Sequence, residues 1–310
     1  MDHPSTFLRS KLRLSYPLQC GQKPSTGDVD RLLDHCYELL GQNAGHAPTL
    51  VTYKPTASVD EVFELAYILL ESQGVPAIRM VDEARLAALA VELSTGVLVD
   101  IGKSGLTVTP IFDGCPVAQG VRSESCGGGA VTEFLDSMLL SRTNETYNQM
   151  TDRRRLEYSR ELKEELCYVP LDFEAETEEF GPFQQKAMRV CKWADVPAIL
   201  LEKYQPGDYC NPDVPDKDAP MTKSKQFSLK SGSQLHVEAG RERFHAPEII
   251  FQPGLWKEAT ASKGLGAVIV DALSDLDADT RAAMLEDVVV VGGSAALEGL
   301  GDRLEEELKG

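Results

Sequence analysis

The sequence predicts an α/β fold, because short β-branched runs alternate with segments of helical apolar spacing. Thr49–Tyr53 and Val288–Val291 are runs of the first kind, and Ser58–Glu71 is a segment of the second kind. In VLVDIGKSGLTVTP, at Val97–Pro110, two β-branched runs flank a glycine-rich turn, which is typical of a hairpin. The alternation of strands and helices favours sheets covered by helices on both faces.

The first 93 residues contain helix and strand patterns with clear boundaries. Asp28–Leu40 has helical apolar spacing, and Asp28 is a candidate N-cap. Ser58 and Glu61 match a capping box at the start of a second helix. The other elements predicted in this part are strands at Thr49–Tyr53 and Ala77–Met80 and a helix at Glu83–Leu93.

The rest of the chain continues the alternation, with one interruption. From Glu174 to Gln226 the sequence is acidic and then dense in proline, glycine and aspartate, which predicts an irregular, exposed segment. After it, Phe227–Val237 is predicted to form a hairpin that turns at 230–233. The other predicted elements are the hairpin at 97–111, helices at 130–141, 152–166, 265–274 and 278–286, and the strand Val288–Val291.

Composition bounds the class of protein. A chain of 310 residues with 42% hydrophobic residues has room for two domains with buried cores. Its net charge of −18 argues against a surface that binds nucleic acid, because phosphate neutralisation requires lysine and arginine. The sequence shows no secretory pattern at Met1 and no apolar run of membrane-spanning length. We therefore expect a soluble intracellular protein that contacts neither nucleic acid nor membrane.

The cysteines and histidines predict no metal site. The seven cysteines are dispersed, with no Cys-x-x-Cys pair, and the five histidines are not clustered at ligand spacing. An odd, dispersed set of cysteines is typical of reduced thiols in the cytosol or nucleus.

The turn after Asp100 has residues suited to an anion. Glycine at positions 102 and 105 allows backbone N–H groups to approach a phosphate closely, and the Asp100 carboxylate can order water or a metal-bound water. The same pattern occurs in ordinary hairpins, where an aspartate caps backbone N–H groups of its own turn. Both interpretations of Asp100 remain open from the motif.

Four further segments, taken with VLVDIGKSG, resemble the actin family. They are LRLSYPLQCG at Leu12–Gly21, ELKEELCYVPLDFE at Glu161–Glu174, RERFHAPEIIFQP at Arg241–Pro253 and EDVVVVGGSAALEGLGDRL at Glu286–Leu304. They follow the family's order and cover nearly the whole chain. The resemblance implies an actin-like, ribonuclease H-like fold, in which two related α/β domains hold a nucleotide between two phosphate hairpins.

The resemblance also implies which residues bind the nucleotide. The invariant carboxylate of the second phosphate hairpin corresponds to Asp100, a pair beside adenine and ribose to Lys163 and Glu164, and a glycine turn beside the nucleoside to Gly292 and Gly293. The full set of candidate residues is Asp100, Gly102, Ser104, Gly105, Lys163, Glu164, Gly292 and Gly293. Alternatively, Lys163 and Glu164 belong to an exposed charged helix, and the two glycines form a tight turn without a ligand.

Two departures from the family pattern weaken the expected chemistry. Lys103 stands at the position of the hairpin's second carboxylate, and Glu83 stands where the family has a water-orienting glutamine. The chain opens near LRLSYP, so we expect it to be truncated and to lack the first phosphate hairpin. Since phosphoryl transfer depends on positioning and charge stabilisation, we expect no catalytic residues, no ATP hydrolysis, and weak or absent binding of ATP or ADP.

The resemblance predicts two parts of unequal completeness. Residues 1–93 correspond to a remnant of the first actin-like domain. Residues 94–310 correspond to a nearly complete second domain, whose outer lobe contains an insertion at about 176–226.

The insertion resembles that of nuclear actin-related proteins in complexes that exchange histone variants. This likeness predicts a non-catalytic structural subunit of a nuclear chromatin-remodelling complex, which contacts protein partners through 176–226. One alternative is a cytoskeletal, cytoplasmic actin-related protein of the dynactin or axonemal kind. Another is an ATPase completed by a partner.

Overall fold

The computed structural model describes residues 26–140, 145–179, 223–228, 234–256, 259 and 261–309. The strands are β1 (Thr49–Tyr53), β2 (Ile78–Asp82), β3 (Gly96–Ile101), β4 (Leu106–Phe112), β5 (Cys115–Pro116), β6 (Arg122–Glu124), β7 (Lys223–Ser228), β8 (Gln234–Ala239) and β9 (Val288–Val291). The α-helices are α1 (Thr26–Leu40), α2 (Val59–Tyr67), α3 (Glu83–Ala90), α4 (Gly128–Leu140), α5 (Glu145–Asn148), α6 (Asp152–Leu166), α7 (Phe173–Glu179), α8 (Glu242–Glu248), α9 (Leu265–Leu273), α10 (Ala278–Leu285) and α11 (Leu300–Lys309).

The central sheet has the strand order β5-β4-β3-β9, with β6 also paired to β4. Strand β3 runs antiparallel to β4 and parallel to β9, and the side chains of Val97, Val99 and Ile101 are fully buried. Asp100 pairs with Val291 in the last pair of the β3–β9 ladder, and with Thr107 in the pair before the last of the β3–β4 ladder. The sheet therefore brings the hairpin turn and the segment after β9 to the same edge.

A second, two-stranded sheet precedes the central one. Strands β1 and β2 are parallel, and α2 connects them. The Asp82 side chain accepts a hydrogen bond from the Ala84 backbone N–H at 2.8 Å and caps α3. Ala84 and Ala88 of α3 pack with Leu98 of β3 in one buried cluster, so α3 joins the two sheets. The division into 1–93 and 94–310 stays a prediction.

The core of the larger part lies between α4, α6 and the central sheet, and it contains a buried polar network. The Tyr147 hydroxyl donates to Asp136 Oδ1 at 2.6 Å, and Ser159 Oγ lies 2.7 Å from the same hydroxyl. Arg155 Nε donates to Asp136 Oδ2 at 3.4 Å, and the Arg155 side chain is only 12% exposed. The charge of Asp136 therefore has buried partners.

The C-terminal helix α11 is held to α8 by a buried ion pair. Arg303 Nη2 donates to Glu248 Oε1 at 3.2 Å, and Glu248 is fully buried. Glu248 Oε2 has no hydrogen-bond partner in the described part of the chain. Burial raises the pKa of Glu248 to about 7, with Arg303 opposing the shift and Glu307 reinforcing it.

Most predicted elements are confirmed, although their bounds differ by a few residues. The predicted hairpin at 97–111 forms as β3 and β4, and Ser58 and Glu61 make both hydrogen bonds of the capping box. The end of the second helix, Ile68–Ser72, is π-helical. Strands β7 and β8 pair as an antiparallel hairpin, and the predicted turn at 230–233 lies outside the described residues, as does 180–222.

Three interpretations are corrected by the structure. Helix α1 begins at Thr26, so Asp28 lies in its first turn and is not its N-cap. The segment from Glu174 is not irregular at its start, because Phe173–Glu179 is helical, and Asp172 Oδ1 accepts from the Glu174 N–H at 3.0 Å. Arg155, expected on a solvated helix face with its two neighbours, is bound to Asp136 instead.

Among the described residues, no helix combines the length and the apolar character that crossing a bilayer requires.

Candidate functional site

The site begins at the hairpin turn between β3 and β4. The Gly102 N–H donates to the Gly105 carbonyl at 3.0 Å, which leaves Lys103 and Ser104 at the tip. Within the described part of the chain, no acceptor bonds to the backbone N–H groups of these two residues. Such a tip presents donors that a phosphate can accept.

A run of three glycines packs the start of helix α4 against this turn. The Gly128 N–H donates to the Gly102 carbonyl at 2.9 Å, and the Gly129 N–H donates to the Lys103 carbonyl at 2.8 Å. A Cβ at Gly127 would lie 2.5 Å from the Gly105 nitrogen, so only glycine allows this contact. Our sequence analysis missed the run, although three glycines before an apolar helix are a recognisable signal of close backbone approach.

The turn after β9 lies against Asp100. Gly292 has φ 92° and ψ 170°, a conformation that is essentially limited to glycine. A Cβ at Gly292 would lie 2.4 Å from Asp100 Oδ1 and 2.7 Å from the Ile101 carbonyl oxygen. At Gly293, by contrast, a Cβ would meet nothing within 4 Å. The fold therefore requires glycine at 292, and the space beside Gly293 is open.

Lys163 reaches the same cluster from the last turn of α6. The Lys163 Nζ donates to the Gly128 carbonyl at 2.8 Å. If residue 128 had a Cβ, that atom would lie 3.3 Å from the same Nζ. Burial lowers the pKa of Lys163, and the charge of Glu164 partly opposes this shift. The buried side chain of Ser294, whose role the sequence did not predict, would lie 2.4 Å from the same Cβ.

Glu164 does not join this cluster. Its side chain is 61% exposed, and Oε1 lies 3.8 Å from Arg160 Nε, one helical turn earlier. The interpretation as an exposed i,i+4 pair therefore describes Glu164, but it does not describe Lys163.

The end of α6 is fixed by the RERF block and by the segment after the glycine turn. Arg243 is buried, and its Nε donates to the Leu166 carbonyl at 2.9 Å. The Val169 N–H donates to the Glu298 carbonyl at 2.8 Å. These contacts hold the helix end that carries Lys163 close to the glycine turn. Cys167 is buried there, as expected for a core thiol.

A cavity of about 230 Å³ is lined by Asp100 and by Gly292 of the turn after β9. Glu83 and Asp100 both face it, and its remaining polar lining includes Thr107 and Thr109. Ligand pockets usually measure about 300–1,000 Å³. The cavity is therefore suited to water or a small ion and not to a whole nucleotide.

Both carboxyl groups at this cavity have perturbed acidity. Burial raises the pKa of Glu83, and the nearby charge of Asp100 raises it further, while Lys54 opposes the shift. Burial also raises the pKa of Asp100, again with Lys54 opposing. Among the described residues, no N–H group donates to the Asp100 carboxylate, so the structure does not support a turn-capping role for it.

The described residues fit the phosphate end of a nucleotide better than they fit a metal ion. The turn supplies the backbone N–H groups of Lys103 and Ser104. Lys163 supplies a cation, whose Nζ donates to the Gly128 carbonyl at the start of α4, the helix that packs against the turn. No group of three or more His, Cys, Asp or Glu side chains within the described ranges is arranged to hold a metal ion. Gly102 and Gly105 shape the turn, and the side chain of Ser104 has no role assigned by these contacts.

An α/β chain with this central sheet and this glycine turn after its last strand has the fold of an actin-like protein. The chain belongs to the actin family, since the family model Actin matches residues 2–310. The match extends over nearly the whole sequence and confirms both the predicted resemblance and the actin-like fold.

The relatives found by comparison are actin-related proteins. Actin-related protein 2 of Saccharomyces cerevisiae is 28% identical over 304 residues, and that of Acanthamoeba castellanii is 28% identical over 303 residues. Centractin of Schizosaccharomyces pombe is 24% identical over 304 residues. Each alignment covers 97% of this chain, but it covers 66%, 66% and 68% of the respective relatives. The chain thus spans about two thirds of their length.

Proposed function

We propose that this actin-related protein is a structural subunit of a multiprotein assembly and that it hydrolyses ATP poorly or not at all. The observation that carries the proposal is the pair of carboxyl groups, Glu83 and Asp100, at one small cavity beside the phosphate turn.

Glu83 is poorly suited to orient a water molecule for attack on a phosphate. An ionised carboxylate accepts hydrogen bonds but donates none, whereas the amide of a glutamine does both. A second negative charge beside Asp100 also opposes the charge that builds up on a transferring phosphoryl group. These two effects act on turnover more than on binding.

The turn itself supports weak binding of ATP or ADP without turnover. The backbone N–H groups of Lys103 and Ser104 would hold phosphate oxygens, and the Lys103 side chain adds a positive charge at the same tip. Lys163 and the open space beside Gly293 would serve the nucleoside end. A bound nucleotide would place its phosphate oxygens at these donors and would link the hairpin turn to the turn after β9.

Phosphate release from ATP and calorimetric titration with ATP, both on the purified chain, test this proposal. We expect release no faster than the buffer background, and Glu83→Gln should bind ATP more tightly than the wild type because one negative charge is removed. Glu286→Gln, which removes an exposed carboxylate beside the opposite end of β3, is a matched control that should leave binding nearly unchanged. Steady turnover by the isolated wild-type chain would overturn the proposal. Turnover that requires co-purified partners would support the alternative of an ATPase completed by a partner.

Two cellular settings follow from the sequence. The nuclear, chromatin-remodelling setting depends on the insertion at 176–226, most of which lies outside the described residues. The cytoskeletal setting is supported by similarity to actin-related protein 2 and centractin, neither of whose names refers to chromatin. Imaging of the tagged chain, with affinity purification and mass spectrometry, distinguishes them. Loss of the co-purified partners on deletion of 180–222 would assign the contact to the insertion.

A further inference from the structure

Helix α2 carries an apolar stripe that faces solvent. Val59, Phe63 and Tyr67 are spaced by four residues, which places them on one face of α2. Leu70 follows three residues later, in the π-helical turn that continues the helix. Phe63 is 70% exposed and Tyr67 is 65% exposed. We call these four residues the α2 stripe.

The opposite face of α2 is partly buried, through Val62, Leu65 and Ala66. The two fully covered side chains, Ile68 and Leu69, belong to the π-helical turn Ile68–Ser72 that follows α2. No ring contact of Phe63 or Tyr67 occurs within the described part of the chain. Large aromatic side chains aligned at helical spacing are typical of a helix-docking face, and singly scattered exposed residues are not.

The charged residues of the segment that contains the α2 stripe are all acidic. From Pro55 to Ile78 the sequence contains Asp60, Glu61, Glu64 and Glu71 and no lysine or arginine. Asp60 and Glu71 are exposed. A second copy of this chain, with its net charge of −18, would bring like charges together. An anionic lipid surface is disfavoured for the same reason.

We propose that the α2 stripe binds an amphipathic helix of a partner protein, whose apolar residues are flanked by lysine or arginine. The stripe spans 12 residues, from Val59 to Leu70, and is about 16 Å long, which matches roughly three turns of a partner helix. Phe63 and Tyr67 provide the central anchors, and the acidic residues select the basic flanks. This proposal rests on the proposed role as a subunit of an assembly, because it names one surface that such a subunit uses.

A designed peptide tests the surface directly. The probe is a helical peptide with leucines at positions i, i+4, i+8 and i+11 and lysines on both flanks, and the control peptide has glutamates in place of the lysines. We expect the full chain to bind the lysine peptide at least about tenfold more tightly than the glutamate peptide, with affinity falling as salt rises.

Substitutions in the chain assign the binding to the stripe. The double variant Phe63→Ser/Tyr67→Ser should weaken binding of the lysine peptide at least about tenfold. Val270→Ser removes a valine that is 65% exposed on α9 and should leave binding unchanged. Because all three positions are exposed, circular dichroism should show that the variants remain folded. Equal binding by the wild type and the double variant, or no binding of the peptide to the wild type at about 1 mM, would overturn the proposal.

The other occupants of this face give distinct outcomes. If residues 1–25 covered it, Tyr67 would be protected from hydroxyl-radical footprinting in the free chain. If a second copy covered it, sedimentation would show a dimer that Phe63→Ser abolishes. Either result overturns the proposal. Co-purification of cellular partners separates it from the proposed function: partners retained by the double variant refute this surface alone, whereas no partners on the wild type refutes the subunit role.

Discussion

Alanine at the two neighbouring glycines of the turn after β9 should have opposite consequences. Gly292→Ala introduces a Cβ 2.4 Å from Asp100 Oδ1 and 2.7 Å from a backbone carbonyl oxygen, at φ 92°. Backbone strain in this region costs about 1–3 kcal/mol, and the contact with Ile101 cannot be relieved without moving β3. We expect the free energy of unfolding to fall by roughly 2–5 kcal/mol, which for a chain of 310 residues corresponds to a Tm lower by roughly 3–8 °C.

Gly293→Ala is the matched control, because its Cβ meets nothing within 4 Å and its φ is not positive. Its unfolding free energy should stay within about 0.5 kcal/mol of the wild type or rise slightly. Urea unfolding followed by circular dichroism and calorimetric Tm measure both variants. The reasoning is refuted if the two variants shift Tm equally, or if Gly292→Ala unfolds like the wild type. Loss of ATP binding in Gly293→Ala alone would further support a nucleoside beside this glycine.

The remaining predictions concern stability. Ser58→Ala removes the acceptor for the Glu61 N–H and should cost about 1 kcal/mol in urea unfolding, whereas Ser58→Asp should retain most of the stability. Tyr147→Phe leaves Asp136 Oδ1 without its 2.6 Å donor and should cost about 1–3 kcal/mol, and an unchanged urea midpoint would contradict this. Glu248 has a folded-state pKa of about 7, above its ordinary 4.5, so the folded chain holds this proton more tightly than the unfolded chain. Its contribution to stability should therefore be lost as pH rises from about 4.5 through 7, by on the order of 3 kcal/mol, and Glu248→Gln should remove this loss. If the free energy of unfolding changes with pH in the same way for the wild type and Glu248→Gln between about pH 5 and 8, the pH dependence does not come from Glu248.

Sequence reasoning succeeded where the determinants are local. The capping box at Ser58 and the hairpin around the turn at 102–105 depend on residues a few positions apart, and both formed as predicted. The predicted start of helix α1 was wrong, because an aspartate is as favourable electrostatically in the first turn of a helix as at its N-cap.

Helix α6 turns two of its charged residues inward, and the burial pattern explains why. Ser159 and Leu162 are buried, and positions 155 and 163 lie on the same helical face as these residues. Arg155 and Lys163 therefore point inward, where each has a buried acceptor. Glu164 is exposed beside Arg160, so the two residues of the predicted pair have different surroundings, and their role in nucleotide binding stays a prediction.

The cavity at Asp100 could not have been predicted from one sequence. Glu83 and Asp100 face the same space because α3 packs on β3, and this packing depends on strand register and on the fit of Ala84 and Ala88. The sequence predicted the helix at Glu83–Leu93, but not the strand on which it packs.

The two hydrogen bonds from the start of α4 to the hairpin have a mechanical consequence. Gly128 and Gly129 donate to the carbonyl groups of two successive residues of the turn, Gly102 and Lys103, so the tip cannot bend away from α4 unless both bonds break. A displacement of the tip would then be transmitted along α4 to Asp136, two turns further on. Amide hydrogen exchange at these two glycines would report the stiffness of the whole connection.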